Sequence, residues 1–199
     1  MNYQDIYKKW LGNPALTEDE KAELYDIKDD VNAIKDRFGA ELEFGTAGMR
    51  GVIGAGTNRM NAYTVARATR GLAKYIISLS SDAVRKGVVI AYDTRRFSTE
   101  FAIIAAEVLN SFGIRSYLFE NVRPVPVCSF TVRHLGAAAG IMITASHNPK
   151  VYNGYKVYGA DGAQMSPEDT AVVVGYIEEE NDYLSLIHIS EPTRPLYIS

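Results

Sequence analysis

Ser146 stands in the run Thr144-Ala145-Ser146-His147-Asn148-Pro149, and Lys156 follows ten residues later within YNGYKVY. A turn serine with a lysine at that spacing makes Ser146 a candidate carrier of a phosphoryl group. Upstream, Ala137 to Ile143 (AAAGIMI) is apolar with a bulky, branched end, which suits a strand buried on both faces. Past its tip, Asn148 favours a turn and Pro149 lacks an amide donor, so the backbone should bend and present the Ser146 hydroxyl outward. Taken alone, the same residues read equally well as a solvated turn and a surface lysine on a hairpin.

A second segment, Phe44 to Gly51 (FGTAGMRG), is glycine-rich and ends in Arg-Gly. Glycines at 45, 48 and 51 are expected to let backbone amides approach an anion, and Arg50 offers a planar, permanently charged fork for phosphate oxygens. An ordinary surface loop with a solvated arginine is the plain alternative.

The elements that must position these residues follow from periodicity. A short helix is expected around Asp5 to Leu11. A second opens at Thr17 with Glu20 as a capping box, carries Leu24, Ile27, Val31, Ile34 and Phe38 as one apolar stripe, and ends at Gly39 in the left-handed conformation. After Arg50, Asn61 can cap a helix whose face carries Val65, Leu72, Ile76 and Leu79. Alternation then begins: strand 88–92, helix 98–112 closed by Gly113, strand 114–119, helix 124–135, strand 137–143. That pattern predicts an α/β layered domain with right-handed crossovers. Ligands of such sheets bind beyond the carboxyl ends of the strands, where two loops fall: Asp93 to Ser98 (DTRRFS) and TASHNP. Asp93 pairing with Arg95 or Arg96 is at least as good a scaffold as a substrate contact. Tyr155 to Tyr158 and Gln164 to Met165 bracket a turn at GADG, placing Lys156 on a hairpin. Ser166, Pro167 and Asp169 start a further helix, and the acidic run Glu178 to Asp182 reads as its solvated end.

At 199 residues, 47% hydrophobic and 23% charged, the chain can bury one sizeable core. A net charge of -3 argues against nucleic acid and for a small metabolite as partner. The start MNYQDIYKKW has no secretion-signal layout and no run reaches the ~18 apolar residues of a membrane span, so a soluble, cytoplasmic protein with no membrane partner is expected. Cys128 is the only cysteine and reads as a buried structural thiol.

TASHNP, with NGYK and the Asp161-Gly162 turn, resembles the phosphoserine loop of the alpha-D-phosphohexomutases, the family of phosphoglucomutase and phosphomannomutase; FGTAGMRG resembles that family's first active-site loop. The resemblance spans Met1 to Tyr183 and only the first of the family's four domains. It implies an α/β fold with a mixed sheet layered between helices (41–183) behind an N-terminal helical arm (1–40). It implies an isomerase, an intramolecular phosphotransferase that interconverts glucose 1-phosphate and glucose 6-phosphate through a phosphoserine and a sugar bisphosphate. In that reading Ser146 carries the phosphoryl group and gives one oxygen to Mg2+. Arg50 and His147 stabilise its charge, and Lys156 is the general acid/base. The other metal ligands, in a DGDxDR-type loop, are absent from this sequence, as is the sugar-reading loop; glucose 1,6-bisphosphate is the implied intermediate and activator. The helical lead is more like the phosphoglucomutase and phosphopentomutase branch, while pentose, mannose and glucosamine phosphates stay open. The fragment is expected to be inactive alone, and a non-catalytic phosphate-binding fragment is the alternative of another class. A serine hydrolase is disfavoured, because no G-x-S-x-G elbow surrounds Ser146.

Leu184 to Arg194 (LSLIHISEPTR) matches the translation of a transposase-type sequencing-library adapter, with Pro195 to Ser199 falling on its index and resumed fixed bases. The expectation is that 184–199 is not native sequence.

Overall fold

The computed structural model describes residues 2–46, 48–180 and 195–199. Three short helices come first: α1 (Tyr3–Leu11), α2 (Glu18–Asp26) and α3 (Val31–Phe38). Then follow β1 (Met49–Val52), α4 (Ala62–Leu79), α5 (Ser81–Lys86), β2 (Val88–Tyr92), α6 (Ser98–Ser111), β3 (Ser116–Phe119), α7 (Val125–Leu135), β4 (Ala139–Ile143), β5 (Tyr152–Gly159), α8 (Pro167–Glu178) and β6 (Leu196–Ile198). The strands make one mixed sheet in the order β1-β5-β4-β2-β3-β6. β2, β3 and β4 run parallel, whereas β5 lies antiparallel between β4 and β1.

Alternate residues of the central strands feed opposite layers, as the two-residue period of a strand requires. Val88, Ile90, Ile141, Ile143, Tyr155 and Val157 pack with α4, α6 and α8. Val89, Ala91, Met142 and Tyr158 pack with Cys128 and Val132 of α7. Both faces are therefore covered, which is why β2 and β4 are apolar at every position. Cys128 is fully buried, and burial pushes its thiol up to about 12, a structural side chain as expected.

The helical arm departs from the single stripe expected of it. Thr17 and Glu20 do form the capping box, but the helix stops at Asp26 and a new one starts at Val31. Asp30 causes the break by accepting hydrogen bonds from the amides of Asn32 and Ala33, the geometry of an N-cap. Val31 is left exposed, and Gly39 closes α3 in a right-handed conformation with φ -76 rather than a left-handed one. The arm's apolar side chains instead form a separate core, in which Trp10 meets Phe38 and Tyr63 edge-on at 5.7 and 5.1 Å. That core rests on Ala66 of α4 and Val108 of α6.

Two further differences concern the C-terminal half. The expected hairpin turn forms at Gly162, φ +76, with Tyr158 bridging Gln164 and the Met165 amide donating to the Val157 carbonyl at 3.1 Å, but its far arm is short and the residue paired with Lys156 is Met142 of β4. The acidic end of α8 is not merely solvated. Glu180 lies between Arg70 Nε at 3.0 Å and Lys74 Nζ at 2.7 Å, clamping α8 to α4. Burial pushes its carboxyl up, but the two cations together outweigh that and hold it below the ordinary value. Asp182 and residues 184–194 fall outside the described residues. Leu196–Ile198 adds a parallel edge to β3 through backbone pairing, with Leu196 and Tyr197 exposed. An open strand edge accepts extended chain of almost any sequence.

Candidate functional site

β2 and β4 run parallel, so the residues just past them, Asp93 and Thr144, emerge side by side at one edge of the sheet. The Asp93 amide donates to the Ile143 carbonyl at 3.1 Å, and the Thr144 hydroxyl donates to Asp93 Oδ2 at 2.6 Å. Thr144 Oγ1 in turn accepts the Ser146 amide at 3.0 Å. Ser146 itself turns the chain in the left-handed region, φ 56, and its side chain is exposed beyond the strand tip, as the sequence predicts. His147 Nδ1 lies 3.4 Å from Ser146 Oγ, and both side chains are exposed. Among the described residues no carboxylate is hydrogen-bonded to His147, so the third member of a hydrolase triad is lacking there.

Arg50 reaches this loop from the far side of the sheet's edge. β1 pairs with β5 so that Arg50 stands opposite Gly154, and Gly154 in turn accepts the Thr144 amide at 3.0 Å. Residues directly opposed on neighbouring strands project to the same face. Arg50 and Thr144 therefore share one face across a residue that has no side chain, and Lys156, opposed to Met142, projects to that face as well. Arg50, Thr144 and Lys156 line one groove of about 500 Å³, together with Gly48 and Glu43. A Cβ on Gly154 would lie 2.7 Å from the Thr144 carbonyl oxygen and 3.0 Å from that of Met49, so only glycine keeps the three strands this close.

The groove and the Ser146 loop meet at Asn148, whose Oδ1 accepts from Arg50 Nη1 at 2.9 Å. On the other side of the loop a second cleft of about 700 Å³ is lined by Ser146, Asn148, Arg95, Arg96 and Lys150. The four candidates thus collect at one edge of the sheet: Ser146 and His147 on the ridge, Arg50 and Lys156 in the groove beside it.

One expectation about the first loop is corrected. The amides of Gly45 and Gly48 do not face outward toward an anion; each donates to the other's carbonyl, at 2.9 and 2.8 Å. Gly48 is required for a different reason. Its φ is +84, and an added Cβ would sit 1.9 Å from the Tyr155 carbonyl oxygen. Gly51 likewise leaves room for the Leu42 side chain.

Sequence reasoning left Arg95 off the site. Its Nη1 donates to the carbonyls of Pro149 and Tyr152, both at 3.1 Å, and its Nη2 donates to those of Ser146 at 2.8 Å and Asn148 at 2.7 Å. The position of DTRR directly after a strand, at the same edge as TASHNP, was the available signal. Carbonyl partners carry no residue signature, so nothing more specific could be read. Among the described residues no group of three or more His, Cys, Asp and Glu is placed to hold a metal ion. Asp93, the acid nearest Ser146 in this network, already has both oxygens engaged.

Residues 41–184 match the family model described as phosphoglucomutase/phosphomannomutase, alpha/beta/alpha domain I. A phosphoglucomutase from Staphylococcus epidermidis is 50% identical over 152 residues, covering 76% of this chain and 27% of the relative. One from Staphylococcus aureus (strain bovine RF122 / ET3-1) is 48% identical over the same span. Among solved structures, one assigned as a phosphomannomutase from Thermus thermophilus superposes with a TM-score of 0.67 at 30% identity, covering 80% of this chain and 33% of that one. The chain thus spans about 27% of the length of these curated relatives. The family-model match over 41–184, the identity to these relatives and the shared fold make it a member of the alpha-D-phosphohexomutase family, of which it carries the first, α/β domain.

Proposed function

We propose that this domain supplies the phosphoryl-carrying half of a phosphoglucomutase active site. The observation that carries the reading is the exposed Ser146 hydroxyl on a left-handed turn, with Arg50 tied to the same loop through Asn148 and Lys156 in the adjoining groove. Phosphorylated Ser146 would hold roughly -1.5 to -2 charges at neutral pH. A sugar-phosphate hydroxyl attacks the phosphorus, the P–Oγ bond of Ser146 breaks, and a sugar bisphosphate forms. The hydroxyl's proton passes to Lys156 as the new P–O bond forms. The reverse transfer from the other phosphate regenerates phosphoserine, with the proton returned to the oxygen left behind. Arg50 stabilises charge on the equatorial oxygens in both directions, and His147 adds a donor beside Oγ.

Mg2+ fits the chemistry of a phosphoserine oxygen, a hard donor, and would supply charge neutralisation there. Ser146 is the group of this chain that would contribute to its coordination; carboxylates from outside these residues would complete it. Sugar choice falls to residues outside the chain, and phosphopentomutase or phosphomannomutase activity is the second reading within the family. Glucose phosphate is preferred because the curated relatives at 48% and 50% identity are named phosphoglucomutases. The boundary at 183, with 184–199 as an adapter translation, belongs to the same proposal, and codons unlike the adapter across 184–194 would refute it.

The test is mass spectrometry of the full-length enzyme carrying this domain, quenched during turnover of glucose 1-phosphate with catalytic glucose 1,6-bisphosphate. A phosphate on Ser146 is expected, and Ser146→Ala should abolish isomerisation. Unmodified Ser146 with an active alanine variant would refute the reading.

A further inference from the structure

The geometry points to Arg95 as the positioning residue of the phosphoryl-transfer site, holding Ser146 in its left-handed backbone through the carbonyls of the loop; this rests on the function proposed above. Left-handed backbone is unfavourable for a residue with a Cβ. Among the described residues two non-glycines adopt it, Phe97 and Ser146, and both flank the Asp93–Arg95 pair. Phe97 sits between Arg95 and Ser98, whose hydroxyl donates to Asp93 Oδ1 at 2.9 Å; Ser146 is reached by Arg95 Nη2 and, through Thr144, by Asp93 Oδ2. Asp93 Oδ1 also accepts the Arg95 amide at 2.9 Å, so the arginine's own backbone is fixed. The two strained residues are thus tied to one ion pair.

A guanidinium has five N–H donors in a rigid fork. Four of those of Arg95 are directed at the carbonyls of Ser146, Asn148, Pro149 and Tyr152, and Nε faces Asp93 Oδ2 at 3.5 Å. The terminal N–H groups are thus committed to backbone, although the side chain lines the cleft beside Ser146. This separates Arg95 from Arg50, which donates Nη1 to Asn148 and is exposed. Lysine cannot substitute: its three donors radiate from one point and cannot span carbonyls contributed by residues on both sides of the turn. Arg95 therefore acts on the chemistry through the aim of Oγ and not through contact with substrate.

The experiment compares Arg95→Lys and Arg95→Gln with wild type in the full-length enzyme carrying these residues, measuring glucose 1-phosphate isomerisation and peptide-level hydrogen exchange together. Displacement of a nucleophile by about 1 Å costs on the order of 100-fold in rate. Expected for both variants are a fall in kcat of that order, KM within about twofold, and exchange of 144–152 faster by about tenfold, the loss of one or two charge-assisted hydrogen bonds. Exchange in α4 should stay at the wild-type level, which reports an intact fold. A kcat within about threefold of wild type in Arg95→Lys, with 144–152 still protected, overturns the inference. So does a rise in KM at unchanged kcat, which would make Arg95 a substrate contact. Should the Arg95 variants fail to fold, Asp93→Asn carries the same two readouts, and a wild-type response in it is equally fatal. A wild-type enzyme without mutase activity would refute the proposed function instead, and the exchange arm would still decide whether Arg95 holds the loop.

Discussion

The two loops that meet at the sheet edge are immobilised by opposite means. The first is held by the absence of atoms: Gly48 touches β5 where a methyl group would overlap the Tyr155 carbonyl, and Gly51 makes room for Leu42. Residues 144–150 are held by the presence of polar groups, with Asp93, Arg95 and Thr144 satisfying the backbone of a turn that Ser146 makes in an unfavourable conformation. Close packing gives a platform for Arg50, whose exposed tip donates to Asn148. Directed hydrogen bonds give a turn that can be strained and still point one oxygen outward. Under the function proposed for Ser146, the second kind of support is the one that matters, because reaction rate is sensitive to the aim of a reacting atom.

The contrast can be broken most severely at Gly48. Gly48→Ala adds left-handed strain to an overlap with backbone, and should destabilise the chain by about 3 kcal/mol or more, read as a lower urea midpoint at unchanged m. If the loss were below about 1 kcal/mol, close packing would not be what fixes the first loop. Next comes Thr144→Val, similar in shape but without the hydroxyl, which strips a partner from Asp93 Oδ2 and from the Ser146 amide together. About 2 kcal/mol is expected, again from denaturant midpoints. Ser146 offers a change of the opposite sign. Ser146→Gly relieves the positive φ whereas Ser146→Ala does not, so the glycine variant should be the more stable by about 1 kcal/mol, seen as a higher Tm, although neither has a hydroxyl to phosphorylate. Equal Tm values would mean that the turn is unstrained. The smallest effect belongs to Asn148→Ala, which cuts the exposed side-chain link between the loops and should cost no more than about 0.5 kcal/mol.

Much of this was readable in advance, for reasons tied to particular residues. Asn61, Thr17 and Ser166 mark the starts of α4, α2 and α8 because a cap is a local interaction between a side chain and amides three residues away. The strands at 88 and 139 announce themselves because burial on both faces leaves no polar position. The break between α2 and α3 was missed because the apolar stripe runs on through it; periodicity measures faces, and the competing cap at Asp30 outweighs it locally. Lys156 was assigned to a hairpin because a good turn sequence follows it, whereas the strongest partner of β5 lies on the other side, in β4.

The amino-acid sequence alone put a serine, an arginine and a lysine on the page as residue types at fixed spacing, and it determined that strands and helices alternate, since burial writes a period into the chain. What waited on the tertiary structure was which of those groups meet and which backbone amides stay free. Gly45 and Gly48 direct theirs at each other, Gly154 lets β1 and the end of β4 approach β5 closely, and Arg95 is committed to carbonyls on both sides of the Ser146 turn. Hydrogen bonds to backbone and the space left by a missing side chain depend on where distant segments come to lie, and neither has a signature in residue type.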